Sequence, residues 1–197
     1  MINLILASGS KQRKEIFDCM GLKYKVIKSN IAESSMQIEP DKYVMELSLN
    51  KANAVESIVR EKSLIIACDS IIYMNNKKYE KPKTKAQAFN NIIEMKGKST
   101  HAYTGVTIID TYKNKTITYF DKAELILRND INKEEIQWYV DNEENILERC
   151  GYTLLGKGII FIDKVIGDYN TIFGISASSL IKHINKLGYS IKDFELK

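Results

Sequence analysis

Cysteine, histidine, proline and tryptophan are all scarce in this chain of 197 residues, which has three, two, two and one of them. The cysteines, Cys19, Cys68 and Cys150, are odd in number, far apart and in no paired spacing. That argues against both a disulfide framework and a zinc cluster, and a reducing cytoplasm fits best. His101 and His183 share no metal-ligand spacing and no partner serine or cysteine, so both read as structural. Long apolar runs are absent too: none approaches the roughly 20 residues of a membrane-spanning helix, and a soluble protein with no membrane partner is expected. The opening stretch, residues 1–7, lacks a basic lead and reads as a first strand, not as a secretory signal. Neither repeats nor low-complexity tracts occur.

A strong charge of one sign is also missing. Against 29 basic residues stand 25 acidic ones, and the net charge of +4 is spread along the chain. Trp138 and the tyrosines do not interleave with arginines, so no nucleic-acid partner is expected, and a small phosphorylated ligand explains the balance as well. What is present is 44% hydrophobic residues, enough to bury a real core.

Residues 2–7 are apolar but for Asn3, and residues 11–22 carry the apolar positions Ile16, Met20 and Leu22, so the chain opens strand, loop, helix. Residues 24–27 read as a second strand, followed by a polar stretch that contains Glu33. From Asp41, the expected cap, to about residue 59, a helix puts Val44, Leu47, Val55 and Ile58 on one stripe. Residues 64–74 form the longest strand-like segment, which the Asn75-Asn76 turn returns through Tyr79 until Pro82 ends it. Thr84 caps a helix that stops at Gly97. Strands near 102–109 and 116–127 flank a turn at 113–115, and a helix covers 132–140. Ile159-Ile160-Phe161-Ile162 reads as a buried strand, and a last helix near 178–187 stops at Gly188. Hairpins mixed with strand-to-helix steps predict an α/β fold with a mixed β-sheet.

Three features point to chemistry. Ser8, Gly9 and Ser10 lead from a strand onto a helix N-terminus with Arg13 and Lys14 in its first turns, an arrangement that suits a phosphate chain, although a serine-capped helix with a solvated basic face would look the same. The loop has neither P-loop nor dinucleotide spacing. Asp69 is the only charge in the run from Leu64 to Ile72, so burial there demands a cation, a metal or dedicated hydrogen bonds. Lys51 falls in the middle of the helical stripe, where it either snorkels out or faces an anion. Lys81, just before Pro82, is within chain reach of Asp69 or a phosphate, or is a surface lysine. Cys68, in an apolar strand, reads as a small hydrophobe before it reads as a nucleophile.

Together these segments resemble the Maf family of nucleotide pyrophosphatases through nearly the whole chain. Ser8 to Arg13 resembles that family's Ser-x-Ser-Pro-Arg-Arg loop, and Glu33 its acidic residue after the second strand. Asn50-Lys51-Ala52 is similar to Glu-Lys-Ala, Ala67-Cys68-Asp69-Ser70 to Ala-Asp-Thr, and Lys81-Pro82 to Lys-Pro. Tyr103-Thr104-Gly105-Val106 matches Tyr-Thr-Gly-Val, and Gly167-Asp168-Tyr169-Asn170 with Gly174 resembles Gly-Asp-Tyr and Gly-Leu-Pro. The resemblance implies a single Maf-like domain over residues 1–197, with a mixed sheet and two lobes around a central cleft. It further implies a divalent cation, magnesium or manganese, a nucleoside triphosphate substrate cut between the α and β phosphates, pyrimidine bases foremost, and a homodimer. In that scheme Ser8, Ser10, Arg13, Lys51 and Lys81 hold phosphate oxygens, while Asp69, helped by Glu33, binds the metal and activates water.

The departures are specific. Lys11 and Gln12 stand where the loop has proline and its first arginine, Ser70 replaces threonine, and Leu155 stands where a glutamine is expected. They motivate a second reading, a non-catalytic relative that binds nucleotide and acts through a partner in cell-division control. A third is a phosphatase acting at the terminal phosphate.

Overall fold

Apolar side chains on both faces of the first strands decide the architecture. In the computed structural model, which describes residues 1–148 and 156–197, β1 (Leu4–Leu6) is buried throughout and β3 (Leu64–Met74) over most of its length. A strand buried on both sides reads as a continuous hydrophobic run, and both do. β2 (Lys25–Val26) and β3 flank β1 in parallel, with Leu6 opposite both Val26 and Ile66. The hairpin strand β4 (Lys77–Tyr79) returns antiparallel on β3 through Asn75 and Asn76, both at positive φ. β5 (Ser99–Asp110), β6 (Lys115–Leu127) and β7 (Ile162–Ile166) complete an open seven-stranded mixed sheet in the order β2-β1-β3-β5-β6-β7, with β4 on β3.

Two compact units divide the chain. The first comprises residues 1–70, 103–121 and 168–197, and the second residues 71–102 and 122–167, so β3, β5 and β6 each give residues to both. In the first unit the two-residue period of the strands sorts side chains into two cores. Leu4, Leu6, Leu64, Ile66, Cys68, Val106 and Ile108 pack with Phe17 of α1 (Lys11–Cys19) and with Leu180 and Ile184 of α6 (Ala177–Lys186). Ile5, Ala7, Ile65, Ala67 and Ile109 pack with Ala52 and Val55 of α2 (Pro40–Glu56). Each fully buried leucine or isoleucine contributes about 1.5–3 kcal/mol, so the two faces together fix the sheet between its helices.

In the second unit, α3 (Lys85–Met95) buries Ala88, Ile92 and Met95, and α4 (Lys133–Asn142) buries Ile136, Tyr139 and Val140. Thr84 caps the former by accepting from the Gln87 N–H, and Asn132 and Glu135 form a reciprocal capping box on the latter. Tyr139 meets Phe161 edge to face at 5.1 Å. Among the described residues no helix is long and apolar enough to cross a membrane.

Three expectations need correction. Residues 159–161 are not strand: Lys157–Phe161 is a 3-10 helix in which Gly158 and Phe161 are buried while Ile159 and Ile160 are exposed, and strand begins only at Ile162. A period of three separates those faces, and four adjacent apolar residues cannot reveal it. Asp41 does not cap α2, because Glu39 holds that position and Pro40 opens the helix, where its missing N–H costs nothing. Ile58 lies beyond the end of α2 and is exposed, so the inward stripe stops at Val55.

The approach of α2 to the sheet depends on one residue. A Cβ on Gly105 of β5 would lie 2.2 Å from the Val44 carbonyl oxygen and 2.7 Å from the Met45 nitrogen. These are backbone atoms and cannot rotate away. Gly105→Ala is therefore expected to lower unfolding free energy by about 3 kcal/mol, measured by urea denaturation, whereas a loss under about 0.5 kcal/mol would show that α2 shifts freely on the sheet.

Candidate active site

Helix α2 delivers Lys51 to the sheet on the same inward face as Val44, Leu47 and Val55. Its residue is only 7% exposed, and the opposing Asp69 of β3 is 5% exposed. Alternation along β3 sends Asp69 to the same side as Ile65 and Ala67, the side that α2 covers. The Lys51 ammonium donates to Asp69 Oδ1 at 2.6 Å and pairs with Glu33 Oε1 at 2.8 Å. Glu33 comes from the polar segment between β2 and α2 and stays largely exposed. Two carboxylates of unequal solvation thus converge on one buried cation. Beside them, Ser48 of α2 bonds Thr107 at 2.9 Å and Thr107 bonds Thr118 at 3.0 Å, so the buried hydroxyls under the helix satisfy one another.

The next residue of β3, Ser70, points to the opposite face and joins a second network. Arg13, in the first turns of α1, donates through Nε to the Gly174 carbonyl at 3.0 Å, through Nη1 to Ser8 Oγ at 3.1 Å and through Nη2 to Ser70 Oγ at 2.9 Å. Ser70 bonds Thr104 at 2.9 Å, and Thr104 donates to the Thr171 carbonyl at 2.8 Å. Since Thr104 spends its proton on that carbonyl, Ser70 must be the donor to Thr104. All donors then run one way, from guanidinium to hydroxyl to hydroxyl to carbonyl, and such alignment polarises each bond in the chain.

Ser8 accepts from both Arg13 and the Ser10 N–H, the latter at 3.3 Å, which leaves its own proton to donate. Ser10 occupies the N-cap of α1 but makes no side-chain capping bond. Its hydroxyl and the first N–H groups of α1 face one end of the helix dipole, where negative charge is favoured. Among the described residues, three of the five guanidinium N–H donors of Arg13 are bound to protein and two remain.

Lys81 belongs to the second unit and is exposed. Leu155 and Cys150 lie outside the described residues. Burial pushes the Cys68 thiol up to about 11 despite the nearby cations Arg13 and Lys51, which leaves it protonated and unreactive at neutral pH. His183 stacks on Tyr119 at 3.6 Å between ring centroids. The neighbouring Asp121 has its carboxyl raised by burial while it accepts the Ser179 hydroxyl. Among the described residues no three histidine, cysteine or acidic side chains form a metal cluster, and Asp69 and Glu33 are two carboxylate donors that the Lys51 ammonium bridges. Reasoning from sequence quoted Thr104 and Ser70 only within motifs and missed their linking roles, along with the Thr171 and Gly174 carbonyls. Backbone carbonyls have no signature in sequence, whereas Thr104 was visible as a hydroxyl in a buried strand.

A buried pair of this kind stabilises little overall, yet losing one member strands the other charge. Lys51→Met is expected to reduce stability by about 3–5 kcal/mol, and adding Asp69→Leu to recover most of it. Chemical denaturation of the two proteins measures this directly, and equal stabilities would show that Asp69 needs no partner.

A Maf-like protein family model matches residues 3–187. A dTTP/UTP pyrophosphatase of Thermoanaerobacter sp. (strain X514) is 33% identical over 179 residues, covering 91% of this chain and 93% of the relative. One of Clostridium perfringens (strain SM101 / Type A) is 30% identical over 192 residues, covering 96% and 100%. A third, of Bacillus anthracis, is 32% identical over 192 residues, covering 97% and 98%. With the match spanning both units and every segment that builds the two networks, the chain belongs to the Maf-like protein family.

Proposed function

We propose that this protein hydrolyses nucleoside triphosphates to monophosphates and pyrophosphate, with dTTP and UTP as the leading substrates. The observation that supports it most is the buried Asp69 held by Lys51, one residue from a strand position tied to the Ser8–Arg13 loop. The names of the relatives point to the same reaction and bases.

In this reading the phosphates lie against the N-terminus of α1. The Ser8 proton, the Ser10 hydroxyl and the two remaining Arg13 N–H donors hold their oxygens, and the helix dipole adds a fixed positive field. Asp69 accepts a proton from the attacking water. The water oxygen bonds to the α phosphorus, the α–β bridging bond breaks, and pyrophosphate leaves with the bond's electron pair. Lys51 balances the Asp69 charge before the proton arrives and is then drawn toward the developing phosphate charge. Lys81 enters as a further phosphate contact on the family resemblance alone.

A divalent cation fits the Asp69 and Glu33 donor set. Magnesium and manganese accept hard oxygen ligands from one or two carboxylates and take the remainder from phosphate and water. When bound, such an ion supplies charge neutralisation and a more acidic water. Glu33 is largely exposed, which puts its carboxylate within reach of an ion arriving from solvent.

The decisive measurement is a nucleotide panel with magnesium or manganese, scored for products. Monophosphate and pyrophosphate in equal amounts are expected, with Asp69→Asn lowering kcat by about 10²–10⁴. Release of orthophosphate would reassign the enzyme to terminal phosphate hydrolysis. Nucleotide binding without any product, in every metal, would favour a binding protein that acts through a partner.

A further inference from the structure

We propose that Asp168 is a positioning residue for Arg13, acting through the Gly174 carbonyl. The proposal rests on the reading of Arg13 as a phosphate-holding group. Asp168 stands at the start of the short helix α5 (Tyr169–Ile172), and Ser176 caps α6 a few residues later. One carboxylate oxygen of Asp168 accepts the Asn170 N–H at 2.8 Å. The other accepts the Ser176 hydroxyl and, at 3.2 Å, the Ser178 hydroxyl. A single side chain therefore ties both ends of the segment between residues 168 and 178.

That segment presents the two carbonyls on which the Arg13 network ends. The Thr171 carbonyl terminates the relay from Ser70 and Thr104, and it also accepts the Gly174 N–H at 3.1 Å. The Gly174 carbonyl takes Arg13 Nε directly. Gly174 adopts φ +101°, a conformation that strains any side chain, and a Cβ there would lie 2.9 Å from Arg13 Nε and 3.3 Å from Ser70 Oγ. The turn is thus shaped to the guanidinium, and the Phe173 and Ile175 N–H groups both return to the Asn170 carbonyl, which closes the turn on itself. Nothing else in this span fastens its beginning to the α6 terminus by side-chain bonds among the described residues except the Asp168 carboxylate and the serines on it. Without that clasp the turn retains its local bonds but loses its fixed placement under Arg13. An arginine side chain has large rotamer entropy to lose, so a carbonyl already in place lowers the cost of holding its two remaining N–H donors toward a ligand.

The test uses the full chain. The Arg13 Nε–H resonance in a nitrogen-15 spectrum, assigned by its disappearance in Arg13→Lys, reports the bond to Gly174 without reference to activity. In Asp168→Ala, hydrogen exchange at Nε is expected to accelerate by about tenfold or more. KM for the triphosphate is expected to rise about tenfold with kcat changed by less than about threefold. Asp168→Asn keeps an oxygen for the Asn170 N–H and should recover both values in part. Unchanged exchange in a folded Asp168→Ala protein overturns the proposal whatever the kinetics. Should the alanine variant not fold, the asparagine variant decides, since its exchange must still exceed that of the parent. Faster exchange with unchanged KM supports the tether and overturns instead the reading of Arg13 as a phosphate ligand.

Discussion

The site is organised by an ammonium held between two carboxylates, one buried and one wet. Lys51 and Asp69 are each nearly inaccessible, and neither charge is tolerable there without the other. Their meeting requires that α2 lie close on the sheet, which Gly105 permits by lacking a side chain under Val44. It also requires that Lys51 fall on the apolar face of α2, among residues that drive the packing. Burial and charge pairing are therefore set by the same helix–sheet contact. Loss of that contact would dissolve the ion pair, and loss of one ion would weaken the contact.

Adjacent residues on β3 point to opposite faces, and the strand uses this to serve two networks at once. Asp69 turns toward α2 and Lys51, while Ser70 turns toward α1 and Arg13. The two sets share no side chain, yet they are one peptide unit apart. Displacement of this strand position moves the proton acceptor and the phosphate loop together, which keeps the proposed base in register with the charge it must follow. The relay beyond Ser70 passes to Thr104 of β5 and then to the Thr171 carbonyl, so the C-terminal segment belongs to the site although it contributes only backbone atoms and a clasp.

Much of this could be read in the sequence, for reasons that are physical. Apolar runs without alternation in β1 and β3 announced burial on both faces. A lone aspartate in such a run needed a partner once buried, a lone lysine on a helical stripe had either to snorkel out or to face an anion, and the two found each other. The Glu33 contact was legible only through family resemblance, because a polar segment without periodicity gives no direction to its side chains. The turn holding Gly174 was quoted as a motif, but its use of two carbonyls was invisible, since every residue has one. Residues 159–161 misled because a short apolar run is common to a strand and a tight helical turn, and the deciding fact, burial of every third position, depends on the partners Gly158 and Phe161 find in the second unit.

The altered phosphate loop shows how one substitution redistributes work. With Gln12 in place of an arginine, the loop keeps a single guanidinium, and three of its donors are committed to protein. Fixed dipoles then count for more: the free N–H groups of α1, the Ser10 hydroxyl that makes no cap, and the Ser8 proton. Gly9 contributes differently. Its φ is unremarkable for an ordinary residue, but a Cβ there would come within 2.7 Å of the Lys28 Cε, so the missing side chain seats the aliphatic stem of that lysine across the loop. A lysine stem laid on backbone brings mobile charge near the helix terminus at little steric cost. A rigid fork at position 12 would fix phosphate geometry; one tethered arginine, backbone donors and a movable lysine fix it less, and the burden of orientation passes to the clasped turn beneath Arg13.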